Sequence, residues 1–185
     1  PGDNIASVVD DYLAEWVGFY PSRALSAGQA EAATRLEDFS QSAIDGWLAA
    51  NQTTLDRIGA LPQPSTLEER IDRQHLEGQI RRELFTWGEA EVHRTDPQTY
   101  SNLINHALTA VLVRSNLSDE MKLDAALERL GGLDRLSETA KGQLGNGRPS
   151  ATRASIRDIR STAAFIEGSL VSALGVRDEN PRRET

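Results

Sequence analysis

Apolar residues return every third or fourth position along almost the whole chain, from Ile5 to Leu174, and no stretch sustains a two-residue alternation. That period places apolar side chains on one side of a helix. A chain so patterned must pack helix against helix, because it has no strand to build a sheet from. The expected fold is all-α: an antiparallel array of about seven or eight helices over residues 1–174, without a sheet, followed by a flexible polar tail over 175–185.

The start and stop signals divide the array. Ile5, Val8, Tyr12 and Trp16 mark a first helix, capped by Asp3 or Asn4 and stopped by Pro21. A short turn through Ala24 and Leu25 ends at Gly28, and the stretch from Gln29 to Asp38 is expected to be helical in part. Ser40 caps a helix through Ile44, Trp47 and Ile58, and Pro62-Gln63-Pro64 breaks it. Ser65 or Thr66 restarts a long helix to about His93. That helix is apolar on two sides, with Leu67, Ile71, Phe85 and Val92 opposite Leu76, Ile80, Leu84 and Trp87, which predicts a central position between neighbours. Asp96-Pro97 opens the next helix. Ser118 opens another, through Leu123, Leu127 and Leu130, which Gly131-Gly132 should close; Leu133, Leu136, Ala140 and Leu144 form a short successor. A last helix follows Pro149, with Ile156, Ile159, Ala163, Ile166, Leu170 and Leu174 as its inner stripe.

Composition narrows the function classes. The net charge of −8 disfavours nucleic acid as a partner. No apolar run approaches the roughly 20 residues that span a bilayer. The first residues show neither a basic segment nor an apolar run, and there is no initiator Met, so a processed start is expected. With no Cys, disulfides and thiolate metal sites are excluded.

No segment carries a working catalytic constellation. The three histidines are His75, His93 and His106. His75 and Glu77 form a His-x-Glu, which opens the zinc deaminase signature, but that signature also needs a Pro-Cys-x-x-Cys. His75 is expected on a partly exposed helix surface beside Ile71. His93, near a helix C-terminus, is favoured as a cation, and His106 sits at the edge of an apolar stripe; both are expected on solvated faces. Arg153, Arg157 and Arg160 form a basic stripe on the last helix, with Arg148 just before it, and Arg81 and Arg82 form a smaller cluster. Either could grip a carboxylate or phosphate; salt bridges to the excess acids are the expected use. The sequential pairs Asp10-Asp11 and Glu68-Glu69 diverge on a helix and do not support paired-carboxylate chemistry. Trp16, Trp47 and Trp87 fall on or beside apolar stripes as core anchors. No catalytic, cofactor-binding or metal-ligating residue is assigned.

The order of several short motifs resembles the N-terminal part of the bacterial family called domain of unknown function 885. The matching residues are Tyr20-Pro21 with Ala24 and Gly28, Leu36-Glu37-Asp38-Phe39-Ser40, Asp72 and Leu76, Trp87 with Asp96-Pro97 and Tyr100, and Ala126-Leu127-Glu128-Arg129-Leu130. Leu133, Leu136, Ala140, Leu144, Pro149 and Phe165 complete the series. The resemblance implies a mostly helical protein several times longer, similar to zincin-type metallopeptidases, with a metal motif like His-Glu-x-x-Pro-Gly-His downstream of the matching region. No metal ligand carries over to a residue here, so zinc is implied for longer members and not for this chain. The expected function is the helical scaffold and substrate-channel portion of a zinc-dependent hydrolase, inactive alone. Its expected partners are the missing catalytic part and a peptide-like substrate, and exposed apolar helix faces are expected to favour a dimer. The alternatives are a freestanding helical module that binds protein or peptide, and a small-ligand carrier.

Overall fold

The computed structural model describes residues 4–145 and 147–174. The tail expected over 175–185, Asp3 as a cap, and Asn146 lie outside them. Among the described residues there are eight α-helices of four residues or more and no strand. They are α1 (Ile5–Phe19), α2 (Pro21–Ser26), α3 (Gln41–Ala60), α4 (Leu67–Glu83), α5 (Val92–Thr95), α6 (Gln98–Leu112), α7 (Asp119–Gln143) and α8 (Pro149–Phe165). The array is all-α and antiparallel, as the period dictates.

Local chemistry sets most boundaries. Asn4 accepts from the Ser7 backbone N–H at 2.9 Å while Ser7 Oγ accepts from the Asn4 N–H at 3.2 Å, a reciprocal cap that opens α1. Thr66 and Glu69 do the same for α4. Ser40 and Ser118 accept from the first-turn amides of α3 and α7. Pro21 follows the end of α1 at Phe19 and occupies the first position of α2, where its missing N–H costs nothing. Asp96 Oδ1 accepts from the Gln98 N–H at 3.0 Å, so it caps α6 although regular helix begins after Pro97.

α1 packs on α3 and α4, α6 packs on α7 and α8, and α2 touches both α1 and α6. The first group encloses an aromatic core built from Tyr12, Tyr20, Phe39, Trp47 and Trp87 with Ile44, Ile58 and Ile80. A smaller core of short side chains, Ala24, Leu25, Ala32, Ala110, Val111 and Ala125, joins α2 to α6 and α7. Small residues let these backbones approach closely. Trp47 and Trp87 are the expected anchors; Trp16 is half-buried.

Several expectations are corrected. Gly131-Gly132 does not end a helix: α7 runs unbroken from Asp119 to Gln143. A Cβ on Gly132 would lie 3.0 Å from Leu36 Cδ2, so this glycine serves a close crossing and not a stop. The long helix does not reach His93. It passes into a wide π turn at Leu84–Glu89 and ends there, capped by Ala90, and Glu91, with a φ of 43°, turns the chain left-handed into α5.

α4 is not sandwiched either. Leu76, Ile80 and Trp87 are buried, but Leu67, Ile71 and Phe85 are 64%, 56% and 56% exposed. The inner stripe of the last helix is the predicted one only at its end, where Leu170, in the π turn that continues α8, is buried. Ser155 and Thr162 face α6, bonding Pro97 O at 3.0 Å and Asn105 Nδ2 at 3.3 Å, while Ile156 and Ile159 face outward. On α7, Leu127 is exposed and the buried positions are Ala125, Ala126, Arg129 and Leu136. Sequence period locates an apolar face; it does not say which neighbour arrives to cover it.

Candidate functional cleft

The buried stripe of α4 and the turn after it reads Leu76, Ile80, Glu83, Trp87, spaced four, three and four residues apart. A carboxylate thus occupies a core position on the most apolar line of the helix. Glu83 is 4% exposed. A buried carboxylate needs donors on every side, and it has four. Tyr20 Oη donates to Oε2 at 2.6 Å, Trp47 Nε1 at 3.0 Å and Trp87 Nε1 at 3.2 Å. Gln79 Nε2 donates to Oε1 at 2.9 Å. Trp87 Nε1 also donates to Tyr20 Oη at 2.7 Å, so phenol, indoles and carboxylate form one closed set. Burial, and secondly the Glu83 charge, push the Tyr20 hydroxyl far above the usual phenol range, and the same two causes raise Tyr12. Tyr20 is therefore a fixed donor and not a titrating base.

Above this floor two cavities adjoin, sharing Arg23, Gln79 and Arg82 in their linings. One, of about 620 Å³, runs between α1 and α4 and is walled by Val9, Leu13, Trp16, Ile71 and Leu76, with Asp72 and His75 also in its lining. The other, of about 710 Å³, lies between α4 and α6 over Tyr20, Glu83 and Trp87, and offers Thr86, Thr99, Asn102 and His106. The cleft has an apolar arm and a more polar arm, itself walled in part by Phe39, Val92 and Leu103, and the two arginines line both.

Both guanidiniums are braced through Glu83. Arg23 lies 4.2 Å over the ring of Tyr20, the phenol that Glu83 holds. Arg82 Nη1 donates to Gln79 Oε1 at 3.0 Å, and Gln79 in turn donates to Glu83. Neither arginine has a carboxylate within ion-pair distance among the described residues. His106 meets Ser26 Oγ at 3.2 Å on the cleft's rim.

A second buried polar set lies behind α2. Arg129 is fully buried and donates to the carbonyls of Ala33 (2.6 Å), Ala107 (2.7 Å) and Ala32 (3.0 Å). Its Nη1 also donates to Ser22 Oγ at 2.9 Å, and that hydroxyl donates to the buried Glu37 at 2.7 Å. Burial pushes Arg129 down to about 10, with the Glu37 charge opposing the fall. This set ties α7, α6 and the segment after α2 together, and Arg129 lines neither arm of the cleft. Its role is structural.

The other candidates drawn from the sequence separate. His75 is exposed, and Glu77 accepts from Arg73 Nε at 3.2 Å, so the His-x-Glu is not a ligand pair. His93 is not on a solvated face: it is 1% exposed, stacked on Trp87 at 5.9 Å, and Arg94 Nε donates to its Nε2 at 3.3 Å. Burial first, then the Arg94 charge, lower its pKa, so the expected cation is a neutral ring. On α8, Arg157 pairs with Asp158 at 3.7 Å, whereas Arg153 and Arg160 are exposed without such a partner among the described residues. Among the described residues no three His, Asp or Glu side chains converge to hold a metal ion. No described helix is long and apolar enough to cross a membrane.

Sequence reasoning passed over Glu83, Tyr20, Arg23, Arg129 and Glu37 as site or core polar residues. The signal was present for two of them. Glu83 interrupts an apolar stripe, and Arg129 falls four residues after Ala125 and seven before Leu136. A charge at a core position calls for a buried partner.

No family model matches the chain, and no curated protein matches it. A solved structure, that of a candidate lipoprotein of unknown function from Shewanella oneidensis, is similar with a TM-score of 0.84 at 14% sequence identity. The match covers 97% of this chain and 33% of that one. The chain therefore spans about a third of the length of the structure it matches. At that identity the likeness establishes the shared helical fold alone.

Proposed function

We propose that this chain is the helical scaffold and channel wall of a longer hydrolase. The observation that carries this reading is the outward stripe of α8. Ser155 and Thr162 pack inward while Ile156 and Ile159 are 47% and 40% exposed, and α4 with its π turn holds Leu67 and Phe85 outward too. Apolar faces turned outward on two helices are what a covering layer of further polypeptide requires. The length of the structural neighbour supports the same reading. In such an arrangement the cleft beside α4 guides a peptide-like substrate and keeps water from it.

The hydrolytic part of the proposal rests on the resemblance to domain of unknown function 885, whose longer members imply a zinc site downstream. The described residues of this chain offer no ligand set for that ion, so they line the channel and take no chemical step. The test is the coding sequence past Thr185 and the activity of its full product. A zincin-like motif there, with peptidase activity that a chelator abolishes and that residues 1–185 lack, supports the proposal. A reading frame without such a motif sinks it and favours a freestanding peptide-binding module. If the outward faces are uncovered in the isolated chain, it will bind an apolar dye or dimerise in sedimentation; a strict monomer that binds no dye contradicts a covering layer.

A further inference from the structure

We infer that the cleft beside α4 is a receptor for the C-terminal residue of a peptide, with the terminal carboxylate on Arg23 and Arg82. The inference deepens the channel-wall reading by naming the end of the substrate that the wall grips.

Charge points to an anion. The chain carries a net charge of −8, yet at the junction of the two adjoining cavities stand two guanidiniums without a carboxylate within ion-pair distance among the described residues. Arginine pairs with planar carboxylates through parallel N–H donors. Both side chains are also braced in advance, Arg23 against Tyr20 and Arg82 against Gln79, and both braces end on the buried Glu83. A site already held in place loses less conformational freedom when it binds. Glu83 lines one arm and Asp72 the other, so a bound anion is held on the two arginines against the charge of both carboxylates.

The shape of the cleft selects among carboxylates. The arginines do not sit at the end of an apolar tunnel, where a fatty acid would put its headgroup. They sit between an apolar arm and a polar arm. The α-carbon of a C-terminal residue bears a carboxylate, a side chain and an amide, and those three groups match the junction, the Leu13–Trp16–Ile71 arm and the Thr99–Asn102–His106 arm. The wall of Val9, Leu13, Trp16, Ile71 and Leu76 calls for an apolar terminal side chain. The polar arm supplies hydroxyl, amide and imidazole groups for the preceding peptide unit. An apolar residue with a free carboxylate and an acylated nitrogen is the smallest molecule that uses all three.

The experiment is calorimetric titration of the 185-residue chain with N-acetyl-alanyl-phenylalanine as its free acid, with the C-terminal amide of the same compound, and with decanoate. The free acid is expected to saturate one site, and the amide to bind about tenfold more weakly or worse, since it forfeits both charged contacts. Decanoate is expected to bind more weakly than the free acid. Arg82→Gln and Arg23→Gln are each expected to weaken the free acid about tenfold and leave the amide unchanged. Absence of saturable binding by the free acid, equal binding of acid and amide, or arginine variants that bind like the parent overturns the inference. Tighter binding of decanoate than of the peptide also overturns it, in favour of a lipid carboxylate. Arg23 packs on Tyr20, so if Arg23→Gln lowers the melting temperature, Arg82→Gln, on the exposed side of α4, decides alone. Binding can fail while a hydrolase encoded past Thr185 stands, and can succeed where no hydrolase is encoded, so the two readings fall separately.

Discussion

Tyr20 and Glu83, 63 residues apart in sequence, share a 2.6 Å hydrogen bond that locks the end of α1 to the end of α4 beneath the cleft. Removing the phenol hydroxyl and removing the carboxylate are unequal perturbations. Tyr20→Phe deletes one donor and leaves Glu83 three others, a loss of about 1.5 kcal/mol for a bond to a charged acceptor. Glu83→Ala strands the donors of Tyr20 and Trp47 in a core, while Trp87 keeps its bond to Tyr20 Oη, and is expected to cost about 3 kcal/mol. Urea denaturation of the two variants checks this. Equal losses would mean that water reaches the indoles.

Arg129 neutralises no surface charge; it holds three backbone carbonyls and, through Ser22, the buried Glu37. Arg129→Met is therefore expected to lose about 3–5 kcal/mol, because Glu37 remains buried without its cation. Adding Glu37→Gln should restore part of that loss, with a coupling of about 1 kcal/mol or more by double-mutant cycle. Strict additivity would show that the two residues do not act as one network.

Adjacent glycines in α7 should respond in opposite ways. A Cβ at Gly131 meets nothing within 4 Å, so Gly131→Ala is expected to stabilise the chain by about 0.5–1 kcal/mol through helix propensity. At Gly132 the same methyl would come within 3.0 Å of Leu36 Cδ2, and displacing Leu36 offsets the gain. Melting temperatures that rise equally for both variants would rule out the close crossing.

His93 predicts a pH dependence with a definite sign. Its folded pKa lies below the ordinary histidine value, chiefly because burial disfavours the cation. As pH falls through about 6.5, the unfolded chain takes up a proton that the folded chain refuses, so stability declines towards acid. Above that pH the residue contributes no slope. His93→Leu should flatten the stability curve between about pH 7 and pH 5.5 relative to the parent. Parallel curves would mean that the folded ring takes up its proton as readily as the unfolded one.

The fold class was legible because helix period, caps and prolines act over three or four residues. Asn4, Ser40, Thr66, Asp96 and Ser118 each announce a helix through a bond within their own turn. The cleft was much less legible. Arg23 and Arg82 are 59 positions apart and ordinary surface residues of their own helices; only the packing of α1, α2 and α4 around one cleft puts them on one junction.

What this sequence determined by itself is local: that the chain is helical, where most helices begin, and which stripes on them are apolar. Tertiary structure decided the rest: that Gly132 marks a crossing and not an end, that α8 turns its isoleucines outward, and that Glu83 and Arg129 belong inside. The physical reason is the range of the forces. A cap or a turn is settled among neighbours in the chain, whereas the burial of a charge depends on donors or acceptors that arrive from other helices, and those become neighbours only when the helices pack.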